Sequence, residues 1–443
     1  MSYAAAIDQL NALVPELFAQ TGQARRKFSL EQVRILLEAL GNPQKSLASV
    51  LIAGTNGKGS TAATLAAILT ASGMHVGLYT SPHLERPNER ICLGRTEISD
   101  EAFAKFYFEV HDAAQQLVLE GRLPQLPSYF EILTAQAFLC FARERVDFAV
   151  LEVGMGGRLD ATNVVDPLIS VITDISLDHM EWLGPTISAI AREKAGILRR
   201  DGTMITLPQH PEANRVLGEA AAELGARAVS AVPYLPEGTA GAIGPYWVEA
   251  LGTRIEVDSP LVGAHQHRNL ALAIATAVEL KEKQGLPVSA EAIAEGIRQT
   301  RWPGRLERVV QNGVEWVLDV AHNPAGAWAL RAGLRSLFAD RQAHVLVFGC
   351  LRDKPVLEMA QILFPLFGQV ILAPIHSARA AAVEDLLAAA RATGTPAIAA
   401  ESVEAALQRA EEQAAGGAVV VSGSVYLVGE ARTLIRAGKS KQP

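Results

Sequence analysis

Residues 50–61 read VLIAGTNGKGST: an apolar run enters a glycine-rich turn that carries one lysine, and an Ala/Leu-rich helical pattern follows at once. Glycines let backbone N–H groups close around phosphate oxygens without Cβ clashes, and the N-terminus of the following helix adds partial positive charge. Lys58 supplies a full charge on a mobile side chain. The stretch therefore predicts a strand, a phosphate-binding loop and a helix, with a nucleoside triphosphate as the ligand.

This loop departs from the usual P-loop pattern, in which the reference glycines lie farther apart and a hydroxyl follows the lysine directly. Here Gly54 and Gly57 are closer, and Gly59 intervenes before Ser60. A turn that merely joins a strand to a helix would explain the glycines. It would not explain a lysine among them or the hydroxyls of Ser60 and Thr61 at the helix start.

Length, charge and cysteine spacing limit the class of protein. The chain has 443 residues and a formal charge of −7, so two domains are expected and nucleic-acid binding is not. Residues 1–20 lack the basic and apolar blocks of a signal peptide, and no run approaches the ~18 apolar residues of a spanning helix. Cys92, Cys140 and Cys350 are scattered, without the spacing of a zinc or redox site. We expect a cytoplasmic protein.

Strand-like and helical patterns alternate along the chain, which predicts an α/β fold. Near-continuous apolar runs suit strands that are buried on both faces of a parallel sheet covered by helices. These runs are residues 51–54, 75–79, 148–153, 169–173 and 203–207. Between 203 and 261 the pattern loosens, and a helix is predicted from 269 to 283. The first domain, residues 1–300, is therefore expected to be a mostly parallel, P-loop-type sheet flanked by helices.

A Pro-Gly break within residues 299–305 marks the expected linker. A second alternation follows it, which predicts a smaller, Rossmann-like α/β domain over residues 301–443. Its expected strands are 314–320, 344–348, 370–373 and 418–422, and its expected helices are 325–337, 355–363, 380–390 and 403–415.

Polar residues follow the predicted strands where open parallel sheets place ligands. Glu152 ends one strand and precedes a glycine-rich turn, so we take it as the first Mg²⁺ ligand rather than a solvated loop charge. Asp174, Asp178 and His179 end the next strand. His179 could fill a turn or ligate the metal, although imidazole is an unusual partner for so hard an ion. Lys194, near a helix C-terminus, would ordinarily lie on a solvated face, and chemistry alone does not select it.

Two further segments point at the same site. Ser81 opens a polar loop after the strand at 75–79, which we expect to close over the nucleotide or metal. In the second unit Asn323-Pro324 can simply start a helix, but a helix start does not explain Asp319 and His322. With Arg305 in the linker, they suggest a surface that faces the nucleotide of the other domain.

Together these segments resemble folylpolyglutamate synthase, including its bifunctional dihydrofolate synthase form, within the Mur ligase superfamily of ATP-dependent amide ligases. The matching segments run in order over most of the chain, and as an ordered set they are highly specific. They are GTNGKGS at 54–60, SPHL at 81–84, ERI at 89–91, YFE at 129–131, EVGMGGRLDATN at 152–163, DH at 178–179, LG at 183–184, EKAGI at 193–197, PGR at 303–305, DVAHNP at 319–324, DK at 353–354 and GS at 423–424.

The resemblance implies a role for each candidate residue. Gly57, Lys58, Gly59 and Ser60 would hold the ATP phosphates, and Asn269, Arg305, Asp319 and His322 would complete the nucleotide site. Ser81, Glu152 and His179 would ligate Mg²⁺, Lys194 would be the family's carbamoylated lysine, and Lys58, Lys194 and His179 would serve catalysis. Ser128, Tyr129, Phe130, Glu131 and Asp160 would meet the pterin; Ser128 stands where threonine is expected in many relatives, which keeps the hydroxyl.

The implied reaction joins L-glutamate to a folate through an acyl phosphate, with ATP between the two domains and L-glutamate on the C-terminal side. The implied partners are small molecules, and we expect a monomer without nucleic acid or membrane. Whether dihydropteroate is also accepted stays open, as do polyglutamate length and the preferred one-carbon form.

Two other functions compete with this interpretation. A cell-wall Mur ligase would need a UDP-sugar domain ahead of the loop, and about fifty residues precede Gly54. A nucleotide-gated switch specific for guanine would carry an Asn-Lys-x-Asp segment, and the sequence holds no Asn-Lys pair. An ATP-dependent binding module would turn over ATP without forming an amide.

Overall fold

The chain folds around two sheets, seen in a computed structural model that describes residues 2–13, 29–238, 244–338, 343–414 and 417–439. The strands are β1 (Ser49–Ala53), β2 (Val76–Tyr79), β3 (Ile91–Leu93), β4 (Thr96–Glu97), β5 (Phe148–Glu152), β6 (Ile169–Ile172), β7 (Thr203–Thr206), β8 (Arg227–Ser230), β9 (Tyr246–Ala250), β10 (Thr253–Val257), β11 (Glu307–Gln311), β12 (Val314–Asp319), β13 (Ala343–Phe348), β14 (Gln369–Leu372), β15 (Ala397–Ala399) and β16 (Ala418–Ser422). The helices are α1 (Tyr3–Ala12), α2 (Glu31–Ala39), α3 (Lys58–Ala71), α4 (Asp100–Leu119), α5 (Tyr129–Arg143), α6 (Met180–Leu183), α7 (Ile187–Ala195), α8 (Pro211–Leu224), α9 (Ala264–Gln284), α10 (Ala290–Gln299), α11 (Pro324–Leu337), α12 (Val356–Leu363), α13 (Val383–Thr393), α14 (Val403–Ala414) and α15 (Val425–Lys439).

The larger sheet has the order β4-β3-β2-β5-β1-β6-β7-β8. Strands β2, β5, β1, β6, β7 and β8 run parallel, while β3 and β4 are antiparallel additions at one edge. Every residue of β1 and β5 is buried, because helices cover both faces of the sheet. The register pairs Ile52 with Glu152, so the end of β5 lies beside the start of the glycine-rich loop.

Two apolar cores lie on opposite faces of this sheet. One includes residues of α1, α2, α4, α5, α7 and α8, and the other includes residues of α3, α9 and α10 with the β9–β10 hairpin. Helix α3 is buried along most of its length, which suits its Ala/Leu-rich sequence. No helix in the described ranges is long and apolar enough to cross a bilayer.

The smaller sheet has the order β11-β12-β16-β13-β14-β15, parallel except for β11. The predicted α/β class, with a mostly parallel larger sheet and a smaller C-terminal unit, is confirmed. Helix α13 begins at Val383 and not at 380, because Ala380 forms a β-bridge with Leu351. Residue 415, the predicted end of the helix at 403–415, lies outside the described residues.

Candidate active site

The loop between β1 and α3 depends on glycine at two close approaches. Gly57 has a φ of +89°, and a Cβ built there would lie 2.1 Å from Oδ1 of Asn269 on α9. A Cβ on Gly54 would lie 1.7 Å from Oγ1 of Thr173, at the end of β6. A side chain at either position would therefore force the loop or the neighbouring Asn269 or Thr173 side chain to move.

Backbone hydrogen bonds fix the path of this loop. The N–H groups of Thr55 and Asn56 donate to the carbonyl oxygen of Asp174, at 2.8 and 3.3 Å. Lys58, the first residue of α3, turns back so that its Nζ donates to the Thr55 carbonyl oxygen at 3.2 Å. The lysine ammonium thus lies over its own loop, at the positive end of a long helix.

A cavity of about 370 Å³ lies above this loop, between the two sheets. Its wall combines strand ends of the larger sheet, the start of α9 and residues of the C-terminal unit. It includes Gly57, Lys58, Gly59, Ser60, Ser81, Glu152, His179, Lys194, Asn269, Arg305, Asp319 and His322, so the structure brings together the predicted nucleotide, metal and catalytic positions.

Glu152 places a buried carboxylate in this cavity. It is 4% exposed, and the backbone N–H of Ser81 donates to its Oε2 at 3.2 Å. Burial raises the pKa of Glu152, against the opposing charge of Lys58, the Ser81 N–H bond and the charge of Arg305. A desolvated carboxylate of this kind gains most from a cation placed beside it.

The residues around Glu152 fit a magnesium ion. Burial lowers the pKa of His179 to about 4, although Asp178 opposes that shift, so the imidazole is neutral and keeps a lone pair. Ser81 adds a hydroxyl oxygen. Among the described residues no three His, Cys, Asp or Glu side chains form a metal-binding group. This sparse set suits Mg²⁺, which takes few protein ligands and completes its shell with phosphate and water oxygens.

The expectation that Lys194 lies on a solvated helix face is wrong. It is 3% exposed, and its Nζ donates to the carbonyl oxygen of Gly54 at 2.7 Å. Burial, followed by the charge of Lys58, lowers the pKa of Lys194 to about 7. A large fraction of this amine is therefore unprotonated and nucleophilic at neutral pH.

The C-terminal unit contributes two residues of opposite charge, Arg305 and Asp319, to the cavity wall. Asp319, at the end of β12, accepts hydrogen bonds from the backbone N–H groups of Leu306 and Ala321, each at 2.9 Å. Burial raises the pKa of Asp319 and lowers that of Arg305, and each opposes the shift of the other. The linker arginine and the strand-end aspartate thus form one electrostatic unit.

Asp178 is a site residue to which the sequence analysis assigned no role. Its carboxylate accepts hydrogen bonds from Lys354 Nζ at 2.7 Å and Asn323 Nδ2 at 3.1 Å, and His322 Nε2 lies 3.6 Å away. Burial opposes ionisation, but the His322 hydrogen bond and the charges of His179 and Lys354 hold its pKa well below the usual range. Asp178 and Lys354 lie 176 residues apart in the sequence, and no local pattern indicates that they are in contact.

The predicted pterin residues lie outside this cavity wall. Ser128 caps α5, and both its N–H and its hydroxyl donate to Oε2 of Glu131 at 2.7 Å, a capping box. Asp160 accepts hydrogen bonds from Met155 N and Thr162 N, at 2.9 and 3.0 Å. These polar groups already serve local structure, so their contact with a pterin stays a prediction.

Two aromatic residues of the same segment are placed differently. Tyr129 lies under the guanidinium of Arg90, 5.3 Å from it, and Phe130 packs where a Cβ on Gly154 would lie 2.5 Å from its ring. Asp160 and Gly156 line a smaller pocket of about 90 Å³ next to the main cavity. Phe130 is therefore connected to the main cavity through the glycine-rich turn, since Gly154 lines that cavity.

Comparisons with known proteins agree with this geometry. Residues 52–277 match the Mur ligase middle domain, and residues 304–425 match the Mur ligase glutamate ligase domain. The folylpolyglutamate synthase of Lacticaseibacillus casei is 35% identical over 427 residues, which cover 95% of this chain and 96% of that protein. The dihydrofolate synthase/folylpolyglutamate synthase of Bacillus subtilis is 35% identical over 426 residues, covering 93% and 95%.

Solved structures show the same similarity over both units. A structure of the Mycobacterium tuberculosis folylpolyglutamate synthase complexed with ADP and AMPPCP superposes with a TM-score of 0.86 at 35% identity. The superposition covers 98% of this chain and 99% of that one.

Proposed function

Because the chain belongs to the folylpolyglutamate synthase family of Mur ligases, we propose that it joins L-glutamate to folates, and also to dihydropteroate, at the expense of ATP. The observation that carries this proposal is the cavity that unites Lys58, Glu152 and Lys194 with Arg305 and Asp319 of the other unit. A ligase needs such a site because nucleotide, acid and amine must meet without free water.

The nucleotide would lie along this cavity. Backbone N–H groups of residues 57–60 would hold its phosphates, and Asn269, Arg305, Asp319 and His322 would form the rest of the nucleotide wall. We propose that residues 1–300 act as the ATP and folate unit and residues 301–443 as the glutamate side. The larger sheet and its helices end by Gln299, and the smaller sheet begins at Glu307, which supports this division.

Ser81, Glu152 and His179 would hold Mg²⁺, which when bound neutralises charge on the triphosphate. Lys194 would carry a carbamate: its neutral amine adds to CO₂, an N–C bond forms and one proton leaves. The product would place an anion in the wall of the cavity that the proposed metal ligands also line. The lowered pKa of Lys194 and its burial support this assignment, because only the unprotonated amine can add to CO₂.

The chemistry proceeds in two steps. A carboxylate oxygen of the folate attacks the terminal phosphorus of ATP, the bond to ADP breaks, and an acyl phosphate forms while Lys58 stabilises the charge that develops. The amine of L-glutamate then attacks the acyl carbon. An amide forms, phosphate leaves with the carboxylate oxygen, and the amine loses a proton. Residues 128–131 and Asp160 would position the pterin.

The test is product analysis with separate acceptors. Purified enzyme with Mg-ATP, L-glutamate and either dihydropteroate or tetrahydrofolate should yield an acceptor heavier by one glutamyl residue in each case. Product from tetrahydrofolate alone would favour a monofunctional folylpolyglutamate synthase. ATP turnover without any amide would favour a nucleotide-gated binding protein and overturn the proposal. The cytoplasmic location, the monomeric state and the lack of nucleic-acid binding stay predictions. Gel filtration tests the monomeric state.

A further inference from the structure

A second cavity, of about 550 Å³, opens from the proposed reaction centre. Gly59, Ser81, Glu152 and Arg305 line both this cavity and the nucleotide cavity. The second cavity therefore ends where the terminal phosphate would lie. We call it the side cavity.

The side cavity has an apolar floor and a cationic rim. Ala63 and Ala66 of α3, Leu78 of β2 and Cys92 of β3 form part of the floor, and small side chains on the helix leave the space open. The exposed arginines Arg95, Arg301 and Arg436 line it as well, with the acidic Glu97. An occupant would therefore need both methylene groups and negative charge.

Most other charges around the side cavity neutralise one another. Arg432 donates from Nε to Glu307 at 2.9 Å and also pairs with Glu85. Glu89 accepts hydrogen bonds from three successive backbone N–H groups, those of residues 84–86, at 2.6 to 2.8 Å. These groups are already satisfied inside the protein and add no net attraction for a ligand.

Two rim arginines are in a different state. The guanidinium of Arg301 donates to the carbonyl oxygens of Thr300 and Arg298, at 2.9 and 3.3 Å, and that of Arg95 to the side-chain amide oxygen of Gln299. Within the described part of the chain neither has a carboxylate within ion-pair distance. Both charges are available to an anionic ligand.

Trp302 adds an independent observation. Its indole lies against Gly59, where a Cβ would be 2.6 Å from the ring, and it lines the side cavity. Its Nε1 is buried and has no hydrogen-bond partner among the described residues. With its nitrogen enclosed by the protein, Trp302 adds an apolar ring to the wall of the side cavity.

We propose that the side cavity holds the γ-glutamyl tail of folate acceptors that already carry several glutamates. This inference rests on the proposed function. The carboxylate that reacts must always lie at the same phosphate, so with a fixed pterin each added residue has to be stored beside the reaction centre. A γ-glutamyl tail has methylenes for the floor and for the Trp302 ring, and α-carboxylates for Arg95 and Arg301. Dihydropteroate has no tail and would leave the side cavity unused.

The test compares acceptors in one enzyme variant. In the double variant Arg95→Gln/Arg301→Gln, the KM for a tetrahydrofolate with several glutamates should rise about tenfold, because two charge-assisted contacts are lost. The KM for dihydropteroate and for L-glutamate, and kcat for all acceptors, should not change. Arg298→Gln is the matched control, since Arg298 pairs with Glu295 and does not line the side cavity.

The outcomes separate this inference from the proposed function. An equal change for every acceptor, a change in the KM for L-glutamate alone, or no change would overturn the tail site. Wild-type enzyme that adds glutamate to no acceptor would overturn the proposed function, and this inference with it. A second variant, Ala63→Leu, narrows the floor and should shorten the longest product without slowing the first addition; unaltered product lengths in a folded variant would contradict the site.

Discussion

At the scale of single residues, two lysines contact the same glycine-rich loop from different helices. Lys58 places its ammonium over the loop, 3.2 Å from the Thr55 carbonyl oxygen, where a phosphate can replace that weak partner. Lys194 lies beneath the loop, and burial lowers its pKa to about 7. The local sequence around each lysine is helical, and only the fold makes one accessible and the other buried.

Replacing Lys58 removes charge where it develops in the reaction. We predict that Lys58→Ala lowers kcat for glutamate addition at least about 100-fold, a loss typical of a removed transition-state donor. The fold should persist because alanine is a favourable residue at a helix start. Initial rates and a thermal melt check both parts. Lys45→Ala, at an exposed position, is the control; undiminished turnover in Lys58→Ala would refute the phosphate assignment.

The proposed carbamate on Lys194 would make activity depend on CO₂ and pH. One unit below a pKa of about 7 roughly a tenth of the amine is neutral, and one unit above it about nine tenths. Enzyme stripped of CO₂ should therefore lose activity, and at a fixed concentration of dissolved CO₂ the activity should return faster as the pH rises through this range. Native mass spectrometry measures the carbamate directly.

Lys194→Met is the control for this prediction, since it cannot form the carbamate and should be inactive with or without bicarbonate. A stripped wild-type enzyme that carries a free amine and works at full rate would contradict the assignment.

At the scale of elements, the loop between β1 and α3 and its contact with α9 are the features that we expect to control ATP binding. Gly57 and Gly73 both have positive φ, +89° and +83°, but their surroundings differ. A Cβ on Gly57 would lie 2.1 Å from Asn269 Oδ1, whereas nothing lies within 4 Å of one on Gly73. A comparison of substitutions at Gly57 and Gly73 therefore separates the effect of backbone strain from the effect of contact with α9.

We predict that Gly57→Ala raises the Kd for ATP at least about tenfold, since the methyl group would displace either the loop or the buried Asn269 side chain, which Gln266 holds by a hydrogen bond. Gly73→Ala should cost only the backbone strain, about 1–2 kcal/mol of unfolding free energy, and leave ATP binding unchanged. Calorimetric titration with Mg-ATP and urea unfolding measure the two effects. Equal affinities in both variants would show that the Asn269 contact does not shape the loop.

Predictability from sequence varies among the elements for physical reasons. The buried strands of both sheets and the loop before α3 could be predicted, because their apolar runs and glycines are local signals. The segment 203–261 gave no clear pattern, since β8 is largely exposed and β9 and β10 form a separate hairpin. Strands β11 and β15 were missed at the edges of the smaller sheet, where burial is partial.

The site could be predicted to a similar degree. Glu152 and His179 follow strands and line the cavity, as expected from their positions at strand ends. Lys194 and Asp178 could not be placed by chemistry, because their burial and partners come from residues far along the chain. The capping box of Ser128 and Glu131 shows the opposite case, in which a local motif has a structural explanation of its own.

At the scale of the whole molecule, the two units meet at polar contacts beside the site. Asn323 Nδ2 donates to Asn56 Oδ1 at 3.1 Å, and the Lys354–Asp178 pair is buried, with side chains 5% and 8% exposed. Both contacts join the C-terminal unit to strand ends of the larger sheet. They join the two units beside the nucleotide cavity.

Breaking the buried pair should loosen this arrangement. Lys354→Met removes the lysine charge from Asp178, which keeps its hydrogen bond from Asn323. Removing one partner of a buried ion pair typically costs about 3–5 kcal/mol. We predict a larger radius of gyration by small-angle scattering and a lower kcat. Arg379→Met is the control because it breaks the more exposed Arg379–Asp353 pair within the C-terminal unit, where the loss is about 0–1 kcal/mol. Identical behaviour of the two variants would mean that Lys354 does not hold the units together.

The central claim is that ATP phosphorylates the folate carboxylate in the cavity above Lys58. The most direct test uses an acceptor in which both oxygens of the reacting carboxylate are heavy oxygen. The phosphate released after amide formation is analysed by mass spectrometry. The account predicts one heavy oxygen in each phosphate, transferred through the acyl phosphate. Phosphate free of the label, released alongside a normal yield of amide, would contradict it.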